Sequence, residues 1–363
     1  MHYENSKYKA EIDKVLAIQR ETRSKLNSKL DLSKCIIDSP LKLESEKEVT
    51  DQETKPQIRV TRILTTNLNN IDTVISNSPN SLWIADYVNS VLVHVQITNT
   101  NIQILSKFKM DVYDMAVDAN NNIFLSVGGC RPLIFIKDNW LISCIKKLLN
   151  KSPWKLCKFD YYLYIGISSP CTSGIHVTSD RKLIIGAIED GSAFRRRGQK
   201  IVTINDMNDE ERTCVKKYEL DSNNKKLFTV PRRITSTSNG NIWVIDQLDI
   251  LNRGRVVVLG QAGNIIQIYT GHHDFNNQDR AFRPTDLLTT PLDNIVVTDC
   301  NNHTLHILSC DGVFITYVRT DDIGIMWPYS LALSSPDYFY IGCATPKGSP
   351  DKAKLYGVAF SGF

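Results

Sequence analysis

The chain has 363 residues, 42% hydrophobic and 23% charged, with a formal net charge of +4. That balance is globular rather than disordered, and the charge is too small to favour nucleic acid on its own. No apolar run approaches the ~18 residues of a membrane helix, and Met1-His2-Tyr3-Glu4-Asn5 lacks the charged-then-apolar layout of a secretory signal, so a cytoplasmic protein with no membrane partner is expected.

Residues 1–37 predict a helix. Tyr8, Ile12, Val15, Gln19, Thr22, Leu26 and Leu30 recur at steps of three and four, which sets one stripe along a helix as in a coiled-coil seam. Gln19 and Thr22 interrupt the stripe, so a solitary amphipathic helix and a weak homodimer seam are both open readings. Residues 38–57 are charged and polar and offer little apolar surface to offset ordering entropy, which predicts a flexible linker.

From residue 58 to 363 the chain repeats itself. The clearest copy runs from Arg233 to Gly271, where four short apolar runs are separated by Asn239-Gly240, by Asp246 to Arg253, and by Gln261-Ala262-Gly263-Asn264. Asn-Gly adopts positive φ at little cost, so the unit reads as a four-stranded antiparallel sheet that opens on a tight hairpin. Pro284 to Thr320 repeats it, with Asn294-Ile295-Val296-Val297-Thr298-Asp299 in place of Asn241-Ile242-Trp243-Val244-Ile245-Asp246. Looser copies place the apolar anchor at Leu82, Ile123, Leu183 and Tyr338, a mean step of about 51 residues. Six copies predict an all-β fold, a six-bladed β-propeller of four-stranded blades preceded by the N-terminal helix.

Two irregularities stand out. Residues 132–175 fit the repeat least, and the spacing from Asn139 to Leu149 suggests an inserted helix at the rim. The last copy is one strand short, so Ile58–Leu64 is expected to pair with Lys354–Phe360 and close the ring. Nine cysteines occur with no C-x-x-C pair, and Cys130, Cys144, Cys157 and Cys171 lie 14, 13 and 14 residues apart, too wide for paired zinc ligands. Reduced thiols packed as small apolar groups are the simplest reading.

The motifs Gly240-Asn241-Ile242-Trp243-Val244-Ile245-Asp246 and Asp293-Asn294-Ile295-Val296-Val297-Thr298-Asp299 resemble the NHL-repeat propeller of tripartite-motif proteins. Gly174-Ile175-His176-Val177 and Pro328-Tyr329-Ser330-Leu331 resemble blade starts of the large mollusc-type expansions of that family. The resemblance implies a propeller that binds protein or RNA for ubiquitin transfer by a zinc RING. This chain carries no RING or B-box cysteine/histidine pattern, so ligase chemistry is not expected of it.

Function in a propeller resides in its loops. One face collects the loops joining second to third strands and those entering each innermost strand. The first set supplies Arg131, Arg195, Arg196, Arg197, Arg253, Arg255, His303 and Lys347; the second supplies Arg232, Arg233, His272, His273, Arg280 and Arg283. Turns of the opposite face carry Asp118, Asp180, Asp293 and Asp337. Arginine forks pair with carboxylate or phosphate. A protein partner is therefore expected on the arginine face, with RNA as the alternative. A lactonase-type enzyme would need several acidic or amide ligands for an axial calcium ion, yet Met115, Ile175, Ile234 and Leu287 are apolar and only His176 and Asp286 qualify. A zinc site drawn from His176, His272 and His303 is less economical than loop or core histidines. Neither metal nor cofactor is expected, and Trp83, Trp243 and Trp327 read as core.

Overall fold

In the computed structural model, the described residues are 56–99, 101–127, 134–136, 171–188, 194, 199–207 and 214–363. The predicted N-terminal helix, nearly all of the charged linker and the helix predicted near Asn139 lie outside them.

Strand β1 (Gln57–Thr65) is followed by a sheet of β2 (Thr73–Ser78), β3 (Ser81–Asp86), β4 (Val91–Ile97) and β5 (Ile102–Lys109). Next come three strands, β6 (Val112–Val117), β7 (Ile123–Val127) and β8 (Ile134–Ile136). The third sheet contains β9 (Cys171–Val177), β10 (Lys182–Ile188), β11 (Lys200–Asp206) and β12 (Cys214–Tyr218). The fourth contains β13 (Pro231–Ser236), β14 (Ile242–Gln247), β15 (Gly254–Leu259) and β16 (Ile265–Tyr269). The fifth contains β17 (Pro284–Thr289), β18 (Ile295–Asp299), β19 (Thr304–Leu308) and β20 (Phe314–Arg319). The last unites β21 (Pro328–Ser335), β22 (Tyr338–Cys343) and β23 (Lys354–Ser361) with β1.

All strand pairs are antiparallel, and the innermost strands β2, β6, β9, β13, β17 and β21 pack side by side in a closed ring. This is a β-propeller. The expected set of six four-stranded blades is met in five; the sheet of β6 to β8 shows three strands among the described residues. That sheet borders the stretch that fits the repeat least.

Blade packing explains why the middle strands are continuous apolar runs rather than alternating ones. Every residue of β14 is buried. Ile242 and Val244 pack with Ile184 and Val202 of one neighbour, whereas Trp243 and Ile245 pack with Leu287 and Val297 of the other. Both faces of the sheet are covered, so both sets of side chains leave water. Outer strands lack a second cover; β12 and β16 are exposed except at Tyr218 and Tyr269.

Hairpin turns follow the sequence. Gly240 has φ 79° and donates its N–H to Thr237 O at 2.9 Å, and Asp293 takes φ 66° at the equivalent turn of the next blade. Anchors Leu82, Ile123, Leu183, Ile242 and Ile295 are buried, and Tyr338 is half-buried.

Ring closure occurs as expected. Ile58 pairs with Phe360, Val60 with Val358 and Leu64 with Leu355. Ile58 and Val60 pack on a cluster that includes Val296, Phe339 and Phe360, so β1 joins the start of the domain to its last two blades. Deleting residues 1–64 should therefore cost several kcal/mol, since it removes buried Leu64, half-buried Ile58 and Val60 and the pairing with β23, and a fully buried aliphatic side chain alone contributes about 1.5–3 kcal/mol. Deleting 1–50 should leave thermal unfolding almost unchanged. Equal melting of the two truncations would contradict closure by β1.

Candidate functional site

The ends of the inner strands converge on one side chain, Arg233. Register shifts occur at the starts of β6, β13 and β17, between Val112 and Asp114, Pro231 and Arg233, and Pro284 and Leu287. Bulges re-aim side chains. Here the three irregular starts bring Asp114, Arg233 and Asp286 together near the axis. Arg233 Nη1 lies 3.0 Å from Asp114 Oδ1, and its Nε lies 3.6 Å from Asp286 Oδ1. The guanidinium also donates to the carbonyls of Tyr113 and, at 2.5 Å, Asp72.

The two carboxylates continue the network. Asp114 Oδ2 accepts Ile175 N–H at 2.9 Å and Asp286 Oδ2 accepts Leu331 N–H at 2.8 Å. Ser330 Oγ donates to Ile71 O at 2.8 Å. Polar contacts thus link β6, β9, β13, β17, β21 and the segment entering β2. Arg233, Asp114 and Asp286 are all buried. The sequence reading placed Arg233 on the exposed arginine face and overlooked Asp114; the bulge turns Arg233 inward.

Burial pushes Asp114 up to about 7, against the pull of Arg233, and Asp286 is raised for the same reason. A single guanidinium can neutralise only one of two carboxylates in a dry site, so the second resists ionisation. A channel of about 430 Å³ adjoins this cluster along the inner strands and is lined by His176, Thr235, Thr289 and the turn residues Ser179 and Ser238. His176 Nε2 lies 2.9 Å from Ser236 Oγ, and burial lowers its pKa to about 4, so the imidazole is neutral. Asp286 and His176, the two axial candidates, are therefore held by protein partners.

The loop face divides the predicted cations into committed and free groups. Arg131 and Arg195, Arg196 and Arg197 lie outside the described residues. Arg232 donates to Gln247 Oε1 at 2.7 Å. Arg253 pairs with Asp249 in its own loop. Arg255, expected in a loop, sits in β15; its Nε donates to Asp246 Oδ2 at 3.0 Å and its Nη2 to Leu227 O at 2.8 Å.

Asp246 ends the motif G-N-I-W-V-I-D, and its role recurs. Its Oδ1 accepts the N–H groups of Thr229 and Val230. Asp86 accepts those of Asn69 and Asn70, and Asp299 accepts that of Arg283. The terminal aspartate of the repeat thus pins the loop that enters the innermost strand of its blade. It is a structural group rather than part of a solvated charge cluster.

Arg280 and Arg283 remain. Their guanidinium groups have no hydrogen bond or ion pair among the described residues, and both line a polar recess of about 320 Å³ with Asn302, His303, Arg319 and Asp321. Arg319 pairs with Asp321. His303 Nδ1 accepts Trp327 N–H at 3.0 Å, and Trp327 holds φ 55°. Positive φ is a costly conformation for a bulky residue. Trp327 is half-exposed and packs edge-on against His303, which corrects its assignment to the core. Lys347 is exposed. His272 and His273 share another loop, so His176, His272 and His303 do not assemble into a zinc site.

Sequence reasoning used Arg253 from the loop between β14 and β15 but missed its aliphatic residues. Ile250 is 79% and Leu251 58% exposed, with Leu248 also exposed. The loop is nonetheless well held. Asp249 Oδ1 accepts Leu251 and Arg253 N–H, and Gln247 Nε2 donates to Asp249 O and Asn252 Oδ1, each at 2.7 Å. Gly254 N–H donates to Phe282 O at 3.1 Å, which sets this loop beside Arg283. The available signal was three aliphatic residues within one turn-rich loop. The cysteines also part from expectation: among the described residues Cys214, Cys300, Cys310 and Cys343 are free, but Cys171 is disulfide-bonded. Cysteine spacing does not reveal which thiols the fold brings together.

The axial cluster predicts a pH-dependent penalty. With its folded pKa raised from 3.8 to about 7, Asp114 keeps a proton that the unfolded chain loses, so its contribution to stability falls as pH rises through that window. Arg233→Met should cost about 3–5 kcal/mol at pH 7.5, where carboxylates are left buried without a counter-charge. The cost should shrink at pH 5. Denaturant unfolding at the two pH values checks this; a small or pH-independent loss would contradict the assignment.

No family model matches the chain, and no curated protein matches it. Solved β-propellers are similar in fold. A luciferin-regenerating enzyme aligns over 85% of this chain and 97% of its own, with TM-score 0.54 and 11% identity. Regucalcin from Agrobacterium tumefaciens, a calcium-binding protein, aligns over 82% and 93%, with TM-score 0.53 and 10% identity. The PQQ-bound aldose sugar dehydrogenase of Streptomyces coelicolor aligns over 85% and 99%, with TM-score 0.52 and 11% identity. At such identity the likeness establishes the propeller fold and nothing finer.

Proposed function

We propose that this chain is a recognition propeller whose loop face docks an acidic protein partner. The observation that carries the reading is the held loop that displays Ile250 and Leu251 to solvent beside Arg280 and Arg283. Folding gains nothing from exposing two aliphatic side chains on an ordered loop. Binding does, because apolar anchors ringed by arginine are what energetic centres of protein interfaces use. An RNA surface would instead call for flat aromatic platforms interleaved with cations.

Fold neighbours include enzymes and a calcium-binding protein. A guanidinium already supplies the positive charge between Asp114 and Asp286, which disfavours an axial metal-dependent hydrolase. A relationship to tripartite-motif propellers is consistent with a binding role and is supported by the blade motifs alone. In this reading the three-stranded sheet is the inner part of a sixth blade.

Crosslinking in cells followed by affinity measurement tests the proposal. Ile250→Asp with Leu251→Asp should weaken a recovered partner by about 30-fold, the scale of a 2 kcal/mol hot spot. Arg280→Glu with Arg283→Glu should reduce it several-fold. Protein binding should change little with salt, whereas RNA held by three to five phosphate contacts would lose about 20- to 130-fold between 50 and 200 mM salt. Recovery of RNA with that salt slope, or a partner indifferent to both pairs of substitutions, would overturn the reading.

A further inference from the structure

The loop between β16 and β17 carries a second cluster, His272-His273-Asp274, whose donor atoms lie within 4.8 Å of one another. His272 Nδ1 is 3.5 Å from Asp274 Oδ2, and His273 Nε2 is 3.1 Å from Asp274 Oδ1. Donors around a tetrahedral zinc ion with bonds of about 2.0–2.1 Å stand roughly 3.3 Å apart. The two separations, one to each oxygen of the Asp274 carboxylate, lie near that value, so a small side-chain adjustment brings three donors around one ion.

The cluster is also held in place. Gly271 has φ 98°, and a Cβ there would collide with Asn276 Oδ1, so the loop turns tightly around the Asn276 side chain. Asn276 Oδ1 accepts His272 N–H at 2.9 Å, while its Nδ2 donates to the buried Asp299 carboxylate at 2.7 Å. Phe275 and Asn276 return their N–H groups to His272 O. The His272 ring stacks on Phe314 with centroids 4.0 Å apart. A pre-set backbone and one locked imidazole lower the ordering cost of binding an ion. His273 and Asp274 are exposed, which leaves room for water or an outside donor in the remaining positions.

We infer that His272, His273 and Asp274 bind a divalent transition-metal ion of the zinc class, with an open coordination position. Two imidazoles with one carboxylate select zinc, nickel or copper over calcium and magnesium, which prefer all-oxygen sets. No metal was expected from the sequence, where the histidines read as loop or core residues; the tight loop is what brings these three adjacent donors together. The cluster shares its loop with Arg280 and Arg283, but none of its three donors is a residue on which the docking reading rests, so the inference does not depend on that reading.

Calorimetric titration of the full chain with zinc alone tests it, together with cobalt(II) absorption as a reporter of tetrahedral geometry. One zinc ion per chain should bind with micromolar affinity, unaffected by millimolar calcium or magnesium. His273→Ala and Asp274→Asn should each weaken binding at least tenfold and abolish the cobalt spectrum, while His303→Ala and Cys214→Ser should change neither. Both substituted positions are exposed, so unchanged melting temperatures should accompany the loss. Zinc binding that survives both loop substitutions, that is lost with Cys214, or that calcium displaces would overturn the site.

Discussion

The propeller depends on a buried guanidinium. Arg233 lies against Asp114 and Asp286 and also reaches the carbonyls of Asp72 and Tyr113, so a single side chain ties its own segment to three others of the six around the axis. The remaining two are joined through the far oxygens of the same carboxylates. Removing these charges from water is expensive, and the ion pairs together with the backbone groups that meet the guanidinium and both carboxylates offset that cost, although Arg233 Nε itself has no hydrogen-bond partner. Such a network suits a ring better than a hydrophobic plug. Inner strands turn their backbone edges to the axis, where polar partners are needed.

Outward from the axis the organising force changes. Each middle strand is buried on both faces, and consecutive residues of β14 contribute to separate cores shared with different neighbours. Blade order is thus enforced by packing, while the loop face is positioned by the aspartates that end the second strands. Asp86, Asp246 and Asp299 each hold the backbone some 16 or 17 residues earlier. Because these pins fix the loops, the residues between them are free to serve recognition. Ile250, Leu251 and Arg280 lie in such loops outside the pinned positions, and Arg283 is pinned through its backbone N–H, not its guanidinium.

Much of this architecture was legible in the residues. Asn239-Gly240 marked a hairpin, the spaced apolar anchors marked the blades, and the unpaired last copy pointed to β1 as its missing strand. Roles at the axis were not legible. Arg232 and Arg233 form an indistinguishable doublet, yet a one-residue bulge leaves Arg232 on the loop side and sends Arg233 inward. Arg253 and Arg255 likewise differ because one sits on a loop and the other beside a buried aspartate. Trp327 was misread because local sequence gives no sign of its positive φ. Strand register and tertiary contacts decide these cases, and periodicity carries no information about them.

The claim on which this account rests most heavily is that Arg233 and Asp114 act as one coupled pair rather than as two independent polar residues. A double-mutant cycle in equilibrium unfolding, with Arg233→Met, Asp114→Asn and both together, measures that coupling directly. The account predicts an interaction energy of about 2–3 kcal/mol, with the double variant more stable than Arg233→Met alone because it no longer buries the Asp114 charge uncompensated. Additive losses, with the double variant less stable than either single one, would contradict it.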